Sequence, residues 1–155
     1  MELSVNNMRV ILQRVKNANC IIDGQVYSEI NQGYLLLVGF TLTDTEKEIN
    51  KIAKKINGLR IFSDEAGKIN RNIYDCGGEV LSISQFTLYA DTKKGNRPSF
   101  TNAMPGDEAT KLYDLFNETL RSLGLKVKTG VFGADMQIGL TNDGPVTIIF
   151  EENAE

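Results

Sequence analysis

The spacing of apolar residues changes period along this chain and divides it into elements. Met8–Val15 (MRVILQRV) is short and rich in Val, Ile and Leu, which predicts a strand. Ala18–Ile22 and Val26–Ile30 flank Asp23-Gly24, a pair that suits the positive backbone angles of a tight type I′ hairpin. Gly33–Phe40 is a continuous apolar run, as expected of a central strand covered on both faces. The period then becomes helical. Ile49, Ile52, Ala53 and Ile56 form one stripe, with Lys47, Lys51, Lys54 and Lys55 on the solvated side. Thr43 and Glu46 fit a capping box at its start, and Gly58 suits its end.

Leu59–Phe62 reads as a short strand, Ser63–Gly67 as a turn and Lys68–Gly78 as an irregular polar stretch. Glu79–Ala90 reads as one long strand, followed by a loop over Asp91–Pro105. A second helix is expected from about Gly106 to Leu123. Ala109, Leu112, Tyr113, Phe116 and Leu120 form its buried stripe, and Gly124 stops it. Val127–Phe132, Asp135–Leu140 and Val146–Phe150 complete the strands, with a turn at Asn142-Asp143-Gly144. The strands come in groups with helices between them, so the expected class is α+β. The architecture that accommodates them is two packed, mostly antiparallel sheets in a barrel-like roll, with both amphipathic helices packed on the sheets. The expected organisation is an N-terminal extension over 1–7 and a single domain over 8–152, with Met8 a second candidate start.

Composition narrows the function. The 155 residues carry a net charge of −3 and contain no histidine. That absence excludes Ser-His-Asp and Cys-His catalysis, His-ligated zinc and an imidazole general base. The acidic balance argues against a broad nucleic-acid footprint but leaves room for a small contact such as one RNA end. No apolar run approaches the roughly 18 residues that a membrane span requires. Cys20 and Cys76 stand far apart with no metal-ligand spacing. With no secretion signal at the start, reduced thiols and a cytoplasmic location are expected.

Candidate chemistry centres on Ser84–Tyr89 (SQFTLY). As a strand, this stretch would place Gln85 and Thr87 on one face, roughly 6–7 Å apart, with Ser84 and Phe86 on the other. Such a pair would bind a substrate carbonyl or hydroxyl, or would simply be satisfied within the core. The following loop gathers Lys93, Lys94 and Arg97, which suits phosphate or a solvated surface, and Lys126 and Lys128 are candidates to extend that field. The adjacent carboxylates Asp64/Glu65, Asp107/Glu108 and Glu151/Glu152 read as structural. At Gly144-Pro145 two accounts stand: proline opening an edge strand, or a cis peptide.

Taken together, the motifs resemble the D-aminoacyl-tRNA deacylase (D-tyrosyl-tRNA deacylase) family across Met8–Phe150. They are QRV at Gln13–Val15, RIFSD at Arg60–Asp64, SQFTLYAD at Ser84–Asp91, RPSF at Arg97–Phe100, GADMQ at Gly133–Gln137 and NDGPVT at Asn142–Thr147. The resemblance implies a homodimer that hydrolyses the ester between a D-amino acid, or mischarged glycine, and the 3′ adenosine of tRNA. It implies no cofactor, no metal, no membrane and no DNA partner. It also implies that Gly144-Pro145 is cis and reaches into the other subunit's pocket, where fixed backbone clashes with an L side chain. Arg14 matches the arginine that braces this motif. Ser84, Gln85, Phe86 and Thr87 match the pocket segment, and Phe132 and Met136 match positions around the terminal adenosine.

Two mechanisms follow from the resemblance. Thr87 would act as nucleophile, or the tRNA 2′-hydroxyl would activate water while amides near Phe86–Thr87 hold the oxyanion. The missing histidine favours the second. The competing functions are a non-catalytic dimeric RNA-binding module of the same fold and a generic esterase acting through Thr87.

Overall fold

The computed structural model describes residues 7–152. Of the extension expected over 1–7, only Asn7 lies within them. Its carbonyl accepts from the Tyr89 hydroxyl at 2.5 Å.

The first strand, β1 (Met8–Ile22), is one ribbon where two shorter strands were expected. It turns at Asp23-Gly24, both with positive φ, into β2 (Gln25–Ile30). β3 (Gly33–Gly39) follows, then helix α1 (Glu46–Gly58). β4 (Phe62–Ser63) and β5 (Ile69–Arg71) form a small two-stranded ribbon. β6 (Glu79–Ser84) leads into a 3-10 turn at Phe86–Tyr89. Helix α2 (Gly106–Ser122), β7 (Val127–Thr129) and β8 (Gln137–Glu152) complete the chain.

The class is α+β, with two helices on a barrel-like sheet as expected. The main sheet is mixed, with six strands, and the second sheet is only the β4–β5 ribbon. β1 pairs antiparallel with β8 along nearly all of its length, with β3 along its first half and with β2 along its second. β3–β6 and β6–β7 are parallel. The sheet curls until β2 and β7 meet. Ser28 donates to Thr129 O at 2.7 Å, and Lys128 Nζ donates to Glu29 O at 2.8 Å.

The continuous apolar run at β3 is explained by cores on both its faces. Tyr34, Leu36 and Val38 pack with Val10, Leu12, Ile49, Ile52, Ile56, Phe116 and Leu120. Leu35 packs on the opposite face with Val15, Cys20, Leu81 and Ile83, flanked by Met136 and Ile138. The α1 stripe falls as the 3.6-residue period requires, but the capping box sits two residues later than expected. Thr45 Oγ1 accepts from Lys47 N at 3.3 Å, and Glu48 Oε2 accepts from Thr45 N at 2.8 Å. Asp44 explains the shift, because its carboxylate accepts from Thr41 N at 2.6 Å and shapes the approach to the helix.

The C-terminal strands differ most from expectation. β8 is a single strand that runs through Asn142-Asp143-Gly144. Its register shows what became of the turn. Gln13 faces Thr147 and Val15 faces Asn142, so β8 spans five residues where β1 spans two. Residues 143–146 therefore bulge from the ladder instead of ending it.

Candidate active site

The expected long strand over Glu79–Ala90 is wrong beyond Ser84. The parallel ladder closes with Gln85 N donating to Val38 O at 2.7 Å, and the chain then coils into the Phe86–Tyr89 turn. Gly39 makes this possible. A β-carbon there would stand 2.9 Å from the Tyr89 ring and 3.0 Å from Gln85 O. Gln85 and Thr87 thus meet around a turn and not along a strand face, and Gln85 Nε2 donates to Thr87 Oγ1.

The first amides of a helical turn have no partner within it. Gln85 supplies no side-chain cap here. Ser84, Gln85 and Phe86 line one wall of a cleft of about 280 Å³, and Phe132, Asp135 and Met136 line the other. Phe132 is backed by Tyr113 of α2, with ring centres 6.0 Å apart. Met136 lies over Gly130, where a β-carbon would come within 2.5 Å of its sulfur. Thr87 is exposed beside the cleft and does not line it.

The basic loop is tied to the mouth of this cleft. Asp91 and Ser99 exchange backbone hydrogen bonds of 2.8 Å, and Phe100 meets Phe86 edge-on at 5.0 Å. Lys93, Lys94 and Arg97 are exposed on that loop. Lys126 and Lys128 do not join it, because they lie by the opposite end of β6. Lys128 Nζ is 3.5 Å from Glu79.

Gly144 and Pro145 do not line this chain's own cleft. They stand exposed on the β8 bulge, joined by a cis peptide, with Gly144 at φ 135°. Arg14 holds the bulge from β1. Its Nε donates to Asp143 O at 2.9 Å and its Nη1 to Ile61 O at 2.5 Å. Asn142 adds a local brace, its Oδ1 accepting from Val146 N at 2.9 Å.

Other ionisable groups have structural surroundings. Asp64 accepts from Ala66 N and Lys68 N, which lowers its pKa chiefly through the Lys68 bond. Glu152 meets Lys51 and Lys55 at 3.7 and 2.9 Å. Cys20 and Cys76 are free thiols whose pKa values are raised, chiefly by burial. Such thiols are poor nucleophiles. Among the described residues, no three His, Cys, Asp or Glu side chains gather as a metal site. No described helix is long and apolar enough to cross a membrane.

Sequence reasoning did not single out Asp135, which lines the cleft though it lies within the GADMQ motif, or Arg9, described below, which sits inside the first expected strand. Neither side chain stands out there, because its neighbours come from distant elements.

Known proteins share this sequence and fold. The profile described as D-Tyr-tRNA(Tyr) deacylase matches residues 11–151. A D-aminoacyl-tRNA deacylase from an Exiguobacterium strain is 56% identical over 147 residues, covering 95% of this chain and all of that protein. A solved structure titled c-Myc DNA Unwinding Element Binding Protein superposes with a TM-score of 0.87 at 42% identity, covering 95% of this chain and all of the other. A second, titled as a probable eukaryotic D-amino acid tRNA deacylase, shares the fold with a TM-score of 0.80 at 18% identity, covering 94% of this chain and all of the other. On these grounds the chain belongs to the D-aminoacyl-tRNA deacylase family of hydrolytic enzymes.

Proposed function

We propose that this enzyme hydrolyses the ester linking a D-amino acid, or mischarged glycine, to the 3′ adenosine of tRNA, and that it works in the cytoplasm as a homodimer. The observation that carries this reading is the uncapped turn at Phe86–Thr87 beside a cleft walled by Phe132 and Met136, in a chain without histidine. An aromatic ring and a thioether suit a terminal adenine. Lys93, Lys94 and Arg97 at the mouth suit the phosphates that follow it.

The amides of Phe86 and Thr87 would hold the oxyanion formed when water attacks the ester carbonyl. Activating that water falls to the tRNA 2′-hydroxyl, which would take a proton from it while passing its own to the departing 3′ oxygen, since no imidazole is available. Thr87 is a weaker candidate for nucleophile. Its hydroxyl already accepts from Gln85 Nε2 and has no base beside it.

Chirality would be read by the β8 bulge. Gly144 and Pro145 are exposed, held by Arg14 and absent from their own cleft. That placement favours use in the partner's cleft, where rigid backbone excludes an L side chain and tolerates D residues and glycine.

Single-turnover hydrolysis of D-Tyr-tRNA, L-Tyr-tRNA and Gly-tRNA tests the reading. The D and glycyl esters should be cleaved and the L ester spared. Thr87→Ala should keep most activity, whereas D-Tyr-tRNA ending in 2′-deoxyadenosine should lose about 10²-fold or more. Full activity on the deoxy substrate would overturn the assisted-water route. Near-complete loss in Thr87→Ala would restore the nucleophile.

A further inference from the structure

The Phe86–Tyr89 turn is open at its start but gripped at its end. Arg9 of β1, only 8% exposed, donates from Nη1 to Leu88 O at 2.7 Å. Its guanidinium carbon lies 4.8 Å from the centre of the Tyr89 ring. Its Nε faces Glu151 Oε1 at 3.5 Å, and Glu151 is its cross-strand partner on β8. One planar cation therefore touches a carbonyl of the turn, the aromatic side chain that closes it and a carboxylate of the strand that carries the Gly144–Pro145 bulge.

We infer that Arg9 is a positioning residue for the hydrolysis. It sets the Phe86–Tyr89 turn against β1 and β8, and so sets where the Phe86 and Thr87 amides point. Among the described contacts, Arg9 is the charged side chain that bonds the turn's own backbone; the other holds are the Phe86–Phe100 edge contact, local backbone bonds and the Tyr89 hydroxyl. The ends of the turn are tied locally by Leu88 N to Gln85 O at 3.3 Å and Ala90 N to Thr87 O at 3.1 Å. Tyr89 is anchored beneath it, with its hydroxyl 3.1 Å from Gly39 O. A guanidinium can donate to a carbonyl in its plane while stacking on a ring, which an ammonium cannot do in the same way. Arg14, on the same strand, holds the bulge through Asp143 O. Both halves of the proposed site are thus referenced to β1. The inference rests on reading the turn as the surface that meets the reacting carbonyl.

The test uses Arg9→Lys, Arg9→Met and Glu151→Gln in the full chain. Amide hydrogen exchange over Phe86–Ala90 is measured without substrate, and single-turnover hydrolysis of D-Tyr-tRNA is measured across enzyme concentrations. Arg9→Lys should speed exchange in the turn while leaving β3 and β6 protected. Its maximal rate should fall on the order of ten- to a hundredfold, because small misplacements of positioning groups cost that much. The enzyme concentration at half-saturation should stay within about twofold, since the lost interaction is not a binding contact. Glu151→Gln should show a smaller loss, because the Leu88 and Tyr89 contacts remain. Unchanged turn exchange in Arg9→Lys would overturn the inference, even if the melting temperature fell. So would faster exchange with an undiminished rate. If the wild type leaves D-Tyr-tRNA intact while Arg9→Lys loosens the turn, the proposed reaction fails and the hold on the turn stands. If Arg9→Met does not fold, Arg9→Lys keeps the buried charge and carries the test.

Discussion

Two places in this molecule interrupt a β-ladder, and they treat their polar groups in opposite ways. At Ser84 the parallel ladder stops and a short turn begins with no side-chain cap, facing a cleft. At Asn142 the antiparallel ladder skips, and the skipped residues are tied down by Arg14 and by the Asn142 side chain. The first arrangement leaves its opening amides without a side-chain cap. The second spends donors and acceptors on holding a shape. On the proposed function, a surface that meets the reacting carbonyl and one that reads chirality would place these different demands on backbone; Arg9 of β1 grips the first region and Arg14 the second.

The largest expected effect comes from disturbing the held shape. A β-carbon on Gly144 would stand 3.1 Å from Arg14 Nη2 and 2.9 Å from Val146 Cγ2, at a φ that L residues rarely adopt. Gly144→Ala should therefore cost roughly 1–3 kcal/mol of stability. It should also slow D-Tyr-tRNA hydrolysis by on the order of a hundredfold, read in single-turnover assays. A variant that keeps both rate and melting temperature would show that the bulge is not a rigid reader.

A smaller effect should follow on the other side. Phe132→Ala should raise the half-saturating concentration about tenfold or more, as loss of base stacking does, with less change in maximal rate. If only the maximal rate moved, Phe132 would belong to the reacting surface instead. Replacing Lys93, Lys94 and Arg97 together with Ala should weaken tRNA binding and flatten its dependence on salt, measured by titration at several salt concentrations.

How these regions showed in the sequence depends on how local their causes are. The α1 stripe and the Asp23-Gly24 hairpin were legible because they need only neighbours in sequence. The α1 cap was placed two residues early, at Thr43, because Thr43 is also followed three residues later by glutamate; the cap forms at Thr45, after Asp44 has bonded Thr41 N. The end of β6 was hidden because it depends on Gly39, a distant glycine that admits Tyr89. The β8 bulge looked like a turn because only its register against β1 shows the strand resuming. Ser84, Gln85, Phe86, Phe132 and Met136 were proposed through family motifs. What brings them together is the parallel pairing that sets β7 beside β6, which no local pattern announces.

The smallest effect lies outside both regions and serves as a control. Burial pushes the Asp44 carboxyl up to about 7; the Thr41 amide opposes that shift and Glu48 adds to it. A carboxyl raised in the folded state holds a proton that the unfolded chain has lost. Its contribution to stability is therefore present below about pH 4, near its unfolded value, and is lost as the pH rises towards 7. Asp44→Asn should remove that slope and raise the melting temperature at pH 8 by about 2–4 °C for each kcal/mol recovered. Selectivity between D and L esters should not change.

The seam between β2 and β7 is fastened by Ser28 and Lys128 side chains reaching backbone carbonyls, not by a ladder. A fastening of that kind can release without unzipping a strand pair. The chain just past Thr129 leads directly to Phe132 and Met136, so the wall proposed for adenosine adjoins a seam closed by side chains, while the wall proposed for the oxyanion continues from β6 within the paired sheet.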